Sequence, residues 1–300
     1  MAGALVLPGY GRRGPAGRFV AVGDSSRDAV WSDDGLTWMQ ASLPAALNWR
    51  AVAWGGDCFV ALAAGSALYA WSADGKTWIP GELPFRGNWT SITFGNGRFV
   101  AVGDPLSGTS TGAMWSTDGR SWHRAEPLGY GYWRSVAYGG GRFAVLAYLM
   151  DTTLWSDDGD TWQSSATKFS GWSKVCWGMG RFVGVSCLRG ETCSSVDGVN
   201  WSLGEMPTYE SWYALAFGKD RFVSAAAWSR NGAWSRDGVT WEKILLPIKA
   251  DWNCMGYGRG RFVLMARGGG DALCSEDGLS WVQAPLPVYG DWNAVACAEG

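Results

Sequence analysis

The sequence predicts an all-β chain, a seven-bladed β-propeller of four-stranded antiparallel blades whose C-terminal strand completes the N-terminal blade and closes the ring. Three observations predict it. An eight-residue box, Trp-Ser-x-Asp-Gly-x-Thr/Ser-Trp or a close variant, opens at Trp31, Trp71, Trp115, Trp155, Ser194, Trp234 and Cys274. Its aspartates (Asp34, Asp74, Asp118, Asp158, Asp197, Asp237 and Asp277) step by 40, 44, 40, 39, 40 and 40 residues. A fixed period near 40 marks one supersecondary unit copied around or along an axis. No stretch carries sustained helical periodicity.

One unit, residues 47 to 84, reads as four short strands. Asn48-Trp49 to Trp54 is a β-rich run closed by Gly55-Gly56-Asp57, and Cys58-Phe59-Val60 opens a second that ends at Ala64-Gly65-Ser66. Ala67 to Ser72 is a third, turned by Ala73-Asp74-Gly75-Lys76 into a fourth from Thr77-Trp78 to Leu83-Pro84. Connections this short suit an antiparallel meander and leave no room for crossover helices. The second strand recurs as Arg-Phe-Val at Arg18, Arg98, Arg181, Arg221 and Arg261 and as Arg142-Phe143-Ala144, while the first strand carries Trp49, Trp89, Trp133, Trp172, Trp212, Trp252 and Trp292. A single sheet of this kind is apolar on both faces and must stack on neighbours, and a ring of such sheets is a propeller.

The two ends predict closure. The first unit starts at its second strand, Gly17-Arg18-Phe19, and the chain finishes with a lone first strand, Asp291-Trp292 to Cys297. Joined, they make one blade from residues 17–46 and 291–300, which removes the exposed edges of an open array. Residues 17–300 are then a single domain. Residues 1–16 form an arm outside the repeat, a candidate for docking onto a neighbouring subunit, for packing along the first blade, or for disorder.

Composition narrows the function. Nineteen of the 22 tryptophans fall at repeating positions, and the 44 glycines sit mostly in turns. With 25 basic and 27 acidic residues scattered along the chain, no basic stripe awaits nucleic acid. No apolar run reaches membrane-helix length, and no membrane insertion is expected. The N-terminal segment lacks the features of a secretory signal, so synthesis in the cytoplasm is expected. Seven cysteines at strand positions read as free thiols. The one histidine, His123, follows a box tryptophan and reads as a surface residue, and no metal or cofactor site is expected.

In the box, Asp accepts backbone N–H groups across the turn from third to fourth strand, Gly supplies positive φ, and Ser and Thr add hydroxyl bonds. Copies at matched points of separate blades cannot converge on one substrate, so the boxes are fold and not site. The phrase resembles the Asp-box, the bacterial-neuraminidase repeat of sialidase-like propellers, with one residue fewer between Asp and Gly, as in Ser72-Ala-Asp74-Gly75-Lys-Thr77-Trp78. That shorter form is similar to repeats of bacterial and bacteriophage virion proteins. The resemblance implies a non-enzymatic virion component (tail, fibre or decoration) whose partners are other virion proteins or a host-surface glycan. A lectin-like glycan-binding module is the alternative, and a sialidase-like glycoside hydrolase is the third reading.

Any site belongs on the face opposite the boxes, where loops precede the first strand and join the second to the third. The first-strand tryptophans are candidate sugar-stacking platforms, against a competing reading as wedges between blades. Asn48, Asn88, Asp251 and Asp291 precede four of them, and Arg50, Thr90, Arg134, Ser173, Tyr213, Asn253 and Asn293 follow the seven. The repeating arginines read as structural, with stems over apolar surface. The short loops are expected to leave little material for a pocket, and no catalytic residue is expected.

Overall fold

The computed structural model describes residues 17–104, 112–129, 131–167 and 169–298. The N-terminal arm and most of the loop from Asp104 to Gly112 lie outside the described residues. All regular structure among the described residues is β-strand. The first sheet holds β1 (Phe19–Gly23), β2 (Ser26–Ser32) and β3 (Met39–Leu47). A six-stranded sheet follows: β4 (Trp49–Gly55), β5 (Cys58–Ser72), β6 (Ile79–Gly95), β7 (Arg98–Asp104), β8 (Ala113–Ser116) and β9 (His123–Arg124). Two four-stranded sheets come next. One comprises β10 (Trp133–Gly139), β11 (Arg142–Ala147), β12 (Thr152–Ser156) and β13 (Gln163–Ala166). The other comprises β14 (Trp172–Gly178), β15 (Arg181–Ser186), β16 (Glu191–Ser195) and β17 (Ser202–Glu205). The seven-stranded sheet runs through β18 (Trp212–Gly218), β19 (Arg221–Ala226), β20 (Ser229–Ser235), β21 (Glu242–Gly258), β22 (Arg261–Arg267), β23 (Gly269–Ser275) and β24 (Val282–Gly290). The last strand, β25 (Trp292–Cys297), returns to the first sheet and pairs antiparallel with β1, Phe19 opposite Cys297.

The two long sheets arise because β6 and β21 each serve two units. The first part of β6 pairs with β5 (Trp71 opposite Ile79), the second with β7 (Phe94 opposite Phe99). Inner strands neighbour one another in order: β4 meets β6, then β10, β14, β18, β21 and β25 follow, and β25 meets β4. The sheets are the antiparallel four-stranded blades of a propeller.

Box and blade are tied by one geometry. In every box the aspartate Oδ1 accepts the backbone N–H groups two and three residues on, as Asp74 does from Lys76 and Thr77, and the serine hydroxyl accepts the glycine N–H (Ser72 from Gly75, 2.8 Å). The box glycine has φ near +70° and is pressed against the preceding blade. A Cβ on Gly159 would stand 2.4 Å from Val100 Cγ2, and one on Gly75 2.5 Å from Val20 Cγ2. The repeating arginines add a second tie: Arg18 and Arg142 donate to the backbone carbonyls of Asp74 and Asp197 in the next blade. Arg18, Arg98 and Arg142 also lie over Trp31, Trp115 and Trp155 at 4.6, 4.6 and 4.2 Å, an arrangement that adds cation–π attraction to stem packing.

The apolar core lies between adjacent sheets. Trp49 packs with Val22, Leu43 and Phe59, and Trp252 with Ala225, Leu246 and Phe262. All seven cysteines are free thiols. His123 is exposed on β9, stacked on Trp115 at 4.4 Å.

Gly159→Ala is expected to cost more stability than Gly97→Ala in denaturant titration. Both force a left-handed backbone, worth about 1–2 kcal/mol, but only the first meets a neighbouring blade, since nothing lies within 4 Å of a Cβ on Gly97. Equal losses would contradict the interblade role. The box carboxylates also set an acid limit. Burial alone would raise them, yet the N–H donors outweigh it and hold Asp34 and Asp118 at about 2. These values lie below the unfolded ~3.9, so their stabilisation is complete above about pH 4 and is lost as pH falls toward 2. A melting midpoint flat down to about pH 5 and falling from about pH 4 is expected; an unchanged midpoint at about pH 2 would contradict it.

Candidate functional site

A one-residue irregularity, repeated on every inner strand, builds the site. In β4, Trp49 pairs with Ala63 and Ala51 with Leu62, so Arg50 has no partner in register. The same bulge follows Trp89, Trp133, Trp172, Trp212 and Trp252, and β25 skips Asn293 in the same way. A bulge re-aims the extra side chain. Here Arg50, Thr90, Arg134, Ser173, Tyr213, Asn253 and Asn293 all line one cavity of about 280 Å³ at the mouth of the central channel. Tyr148, Cys187 and Arg267, from the ends of second strands, complete its wall, and Lys174 stands where it meets a second cavity of about 140 Å³ deeper in the channel.

The bulge residues divide into two groups. Thr90, Ser173, Asn253 and Asn293 each donate to a tryptophan carbonyl of the following blade: Trp133, Trp212, Trp292 and Trp49, respectively. Asn253 also donates to Asn293 Oδ1 at 3.0 Å. These four stitch blades together. Arg50, Arg134 and Tyr213 make no bond to a tryptophan carbonyl; Arg50 is tied to the preceding blade through Asp24 instead.

The mouth is cationic. Arg50 is ion-paired with Asp24 at 2.9 Å, while its Nε is buried without a protein partner. Arg134 lies over the Tyr148 ring at 5.0 Å and Arg267 over Tyr213 at 5.6 Å. Lys174 occupies a slot filled in the other inner strands by Ala51, Ser91, Ser135, Ala214, Cys254 and Ala294. Among the described residues its ammonium has neither a hydrogen bond nor an ion pair. Burial lowers the Lys174 amine below the ordinary lysine range; Cys254 opposes this, and the charges of Arg267, Arg134 and Arg50 add to it. Burial pushes the Cys254 thiol and the Tyr213 phenol up to about 12, Cys187 adding to the latter, so both stay neutral near pH 7. Among the described residues no carboxylate lines the cavity, and no group of three or more His, Cys, Asp or Glu is placed to hold a metal ion.

The residues singled out from sequence fall differently. Trp49, Trp89, Trp133, Trp172, Trp212, Trp252 and Trp292 are at most 1% exposed. Their faces are covered by neighbouring blades, so of the two readings the structure gives interblade wedges and not sugar-stacking platforms. Asn48 is exposed and accepts from Ser25, and Asn88 donates to Asp104. Asp291 takes the Gly268 N–H at 2.7 Å, and Asp251 lies opposite Arg267 in the strand register. None of these four lines the cavity: Asn48 and Asp291 precede inner strands, and Asn88 and Asp251 lie within β6 and β21. The expectation that short loops leave little for a pocket is corrected, because strand residues build this one. Sequence reasoning missed Lys174, Arg267 and Tyr148. The legible signal was a lysine in a slot whose counterparts are small.

No protein-family model matches the chain, and no curated protein matches it. Among solved structures it is similar to virginiamycin B lyase from Staphylococcus aureus, with 8% identity and a TM-score of 0.70 over 80% of this chain and 85% of that one. It is also similar to YCF48 bound to D1 peptide, with 14% identity and a TM-score of 0.64 over 92% and 93%. A third is a chain of a nidogen/laminin complex, with 10% identity and a TM-score of 0.57 over 94% and 98%. At these identities the likeness speaks for the propeller fold alone.

Asn293→Ala should cost about 1–3 kcal/mol, the range for leaving a buried partner unsatisfied, because it strips a donor from the Trp49 carbonyl. Arg134→Gln, which breaks no blade-to-blade bond, should stay within about 0.5 kcal/mol. Chemical denaturation checks both, and the reverse order would contradict the division into stitching and free residues.

Proposed function

We propose that this chain is a non-enzymatic binding propeller of seven blades that docks a partner on its channel-mouth face. The blade count is supported by the seven boxes and by the cycle of inner strands from β4 through β25. Binding is supported chiefly by one observation: the mouth face carries a free cationic cavity beside an arc of exposed apolar side chains. Leu149, Leu188 and Trp228 stand on successive second-to-third-strand loops, with Tyr209 on the loop between two of these blades; Trp228 is 71% exposed and Tyr209 79%. Trp228 is held at φ 54°, a backbone state that bulky residues seldom adopt. Exposed aromatics beside positive charge are the composition of interaction surfaces.

A non-enzymatic reading is favoured because two-carboxylate glycoside hydrolysis would need acids in a cavity whose described lining carries none. The likeness to structures in complex with a peptide or another protein agrees with protein binding as a role for this fold. A virion protein or host-surface glycan as partner rests on the resemblance of the box to the short Asp-box alone.

Peptide and glycan arrays probed with the intact chain test the reading. Trp228→Ala with Tyr209→Ala is expected to weaken binding by more than about 2 kcal/mol, as at interface hot spots. Met179→Ala with Lys219→Ala, on the turns of the box face, should leave it unchanged. Loss with the second pair and not the first would place the partner on the wrong face.

A further inference from the structure

The mouth holds four cations supplied by four different blades. Arg50 comes from β4, Arg134 from β10, Lys174 from β14 and Arg267 from the end of β22. They surround the cavity from separate sides instead of clamping it from one. Lys174 is the informative member. Six counterparts show that the fold asks only for a small residue at this point, yet here a long cation pays the desolvation penalty beside three guanidinium groups. Nothing among the described residues offers it a carboxylate. Asp24, Asp104 and Asp251 stand behind Arg50, Arg134 and Arg267, outside the lining: Asp24 pairs with Arg50, Asp251 lies opposite Arg267, and the charge of Arg134 acts on Asp104. They balance the arginines from the rear and leave the ammonium uncompensated at the centre.

From this arrangement we propose that the channel mouth is a binding site for a tetrahedral oxyanion, a phosphate or sulfate group, anchored by Lys174 and ringed by Arg50, Arg134 and Arg267. A planar carboxylate offers two oxygens to one fork. A tetrahedral anion offers oxygens on every side, which suits donors spread around an axis. The cavity of about 280 Å³ equals roughly nine waters' share of liquid volume, room for one such group with its first substituent. The same chemistry could reach the site as a free ion or as the phosphorylated or sulfated end of a larger ligand. The site rests on the reading that this is the working face.

Calorimetric titration of the full chain with inorganic phosphate and with sulfate, at constant ionic strength against acetate, tests the proposal. Saturable one-site binding of both tetrahedral anions is expected, with acetate at least tenfold weaker. Lys174→Ala should weaken phosphate binding at least tenfold while its unliganded melting midpoint equals or exceeds the parent's, since the substitution installs the residue of three other blades and removes a half-buried ammonium from beside three guanidinium groups. Glycerol phosphate binding more tightly than inorganic phosphate would identify the end of a larger ligand; equal binding would identify the free ion. Acetate binding as tightly as phosphate, or Lys174→Ala binding phosphate unchanged, would overturn the proposal. A partner lost with Trp228→Ala but held equally by Lys174→Ala, in a chain that binds no phosphate or sulfate, would overturn the oxyanion site while leaving the docking face intact.

Discussion

Everything else in the molecule depends on the bulge that follows each first-strand tryptophan. The tryptophan is fully buried, so its ring fixes where the inner strand enters the core. The next residue then drops out of register and its side chain turns to the channel. One local slip therefore does two jobs at each blade: it wedges a large aromatic between sheets and it delivers one side chain to the axis. Removing such a ring would forfeit about 3–5 kcal/mol by the usual cost of deleting a buried aromatic, and the delivered side chain would lose its aim with it.

The repeat constrains the molecule so tightly that function is confined to the departures from it. On the box face, Asp, Ser and Gly repeat because the turn and the preceding blade leave no alternative: the glycine has φ near +70° and almost no room for a Cβ. On the mouth face, the bulge residue turns to the channel, and the sequence places Thr, Ser or Asn there as a stitch at some blades and Arg or Tyr at others. The carbonyl stitches occur at four positions and Arg or Tyr at three, so a ring of equivalent slots becomes a lopsided, charged mouth.

This difference explains what could be read in advance. The box and its period were legible because each box is a local hydrogen-bonded turn whose residue types follow from its own geometry. The joining of the ends was legible for the same reason, since a unit cut between its first and second strands shows at both termini, and β25 does pair with β1. The tryptophans left two readings open because an aromatic between polar neighbours reads alike whether covered or bare; only the adjacent blade decides. Arg50 and Arg134 stood among the residues after the tryptophans, but nothing in the chain separated them from Thr90 or Ser173 without the carbonyls those residues meet. Lys174 was overlooked for another reason: its slot shows as one for small residues only when the seven inner strands are aligned on their tryptophans.

The central claim is that the irregular members of a regular ring form a single anion-holding mouth. Crystals of the protein grown with selenate, a tetrahedral oxyanion with an anomalous signal, test it most directly. An anomalous peak is expected within hydrogen-bond reach of Lys174 and the guanidinium groups of Arg50, Arg134 and Arg267. A mouth without selenate, with peaks only at box-face arginines such as Arg18 or Arg142, would contradict it.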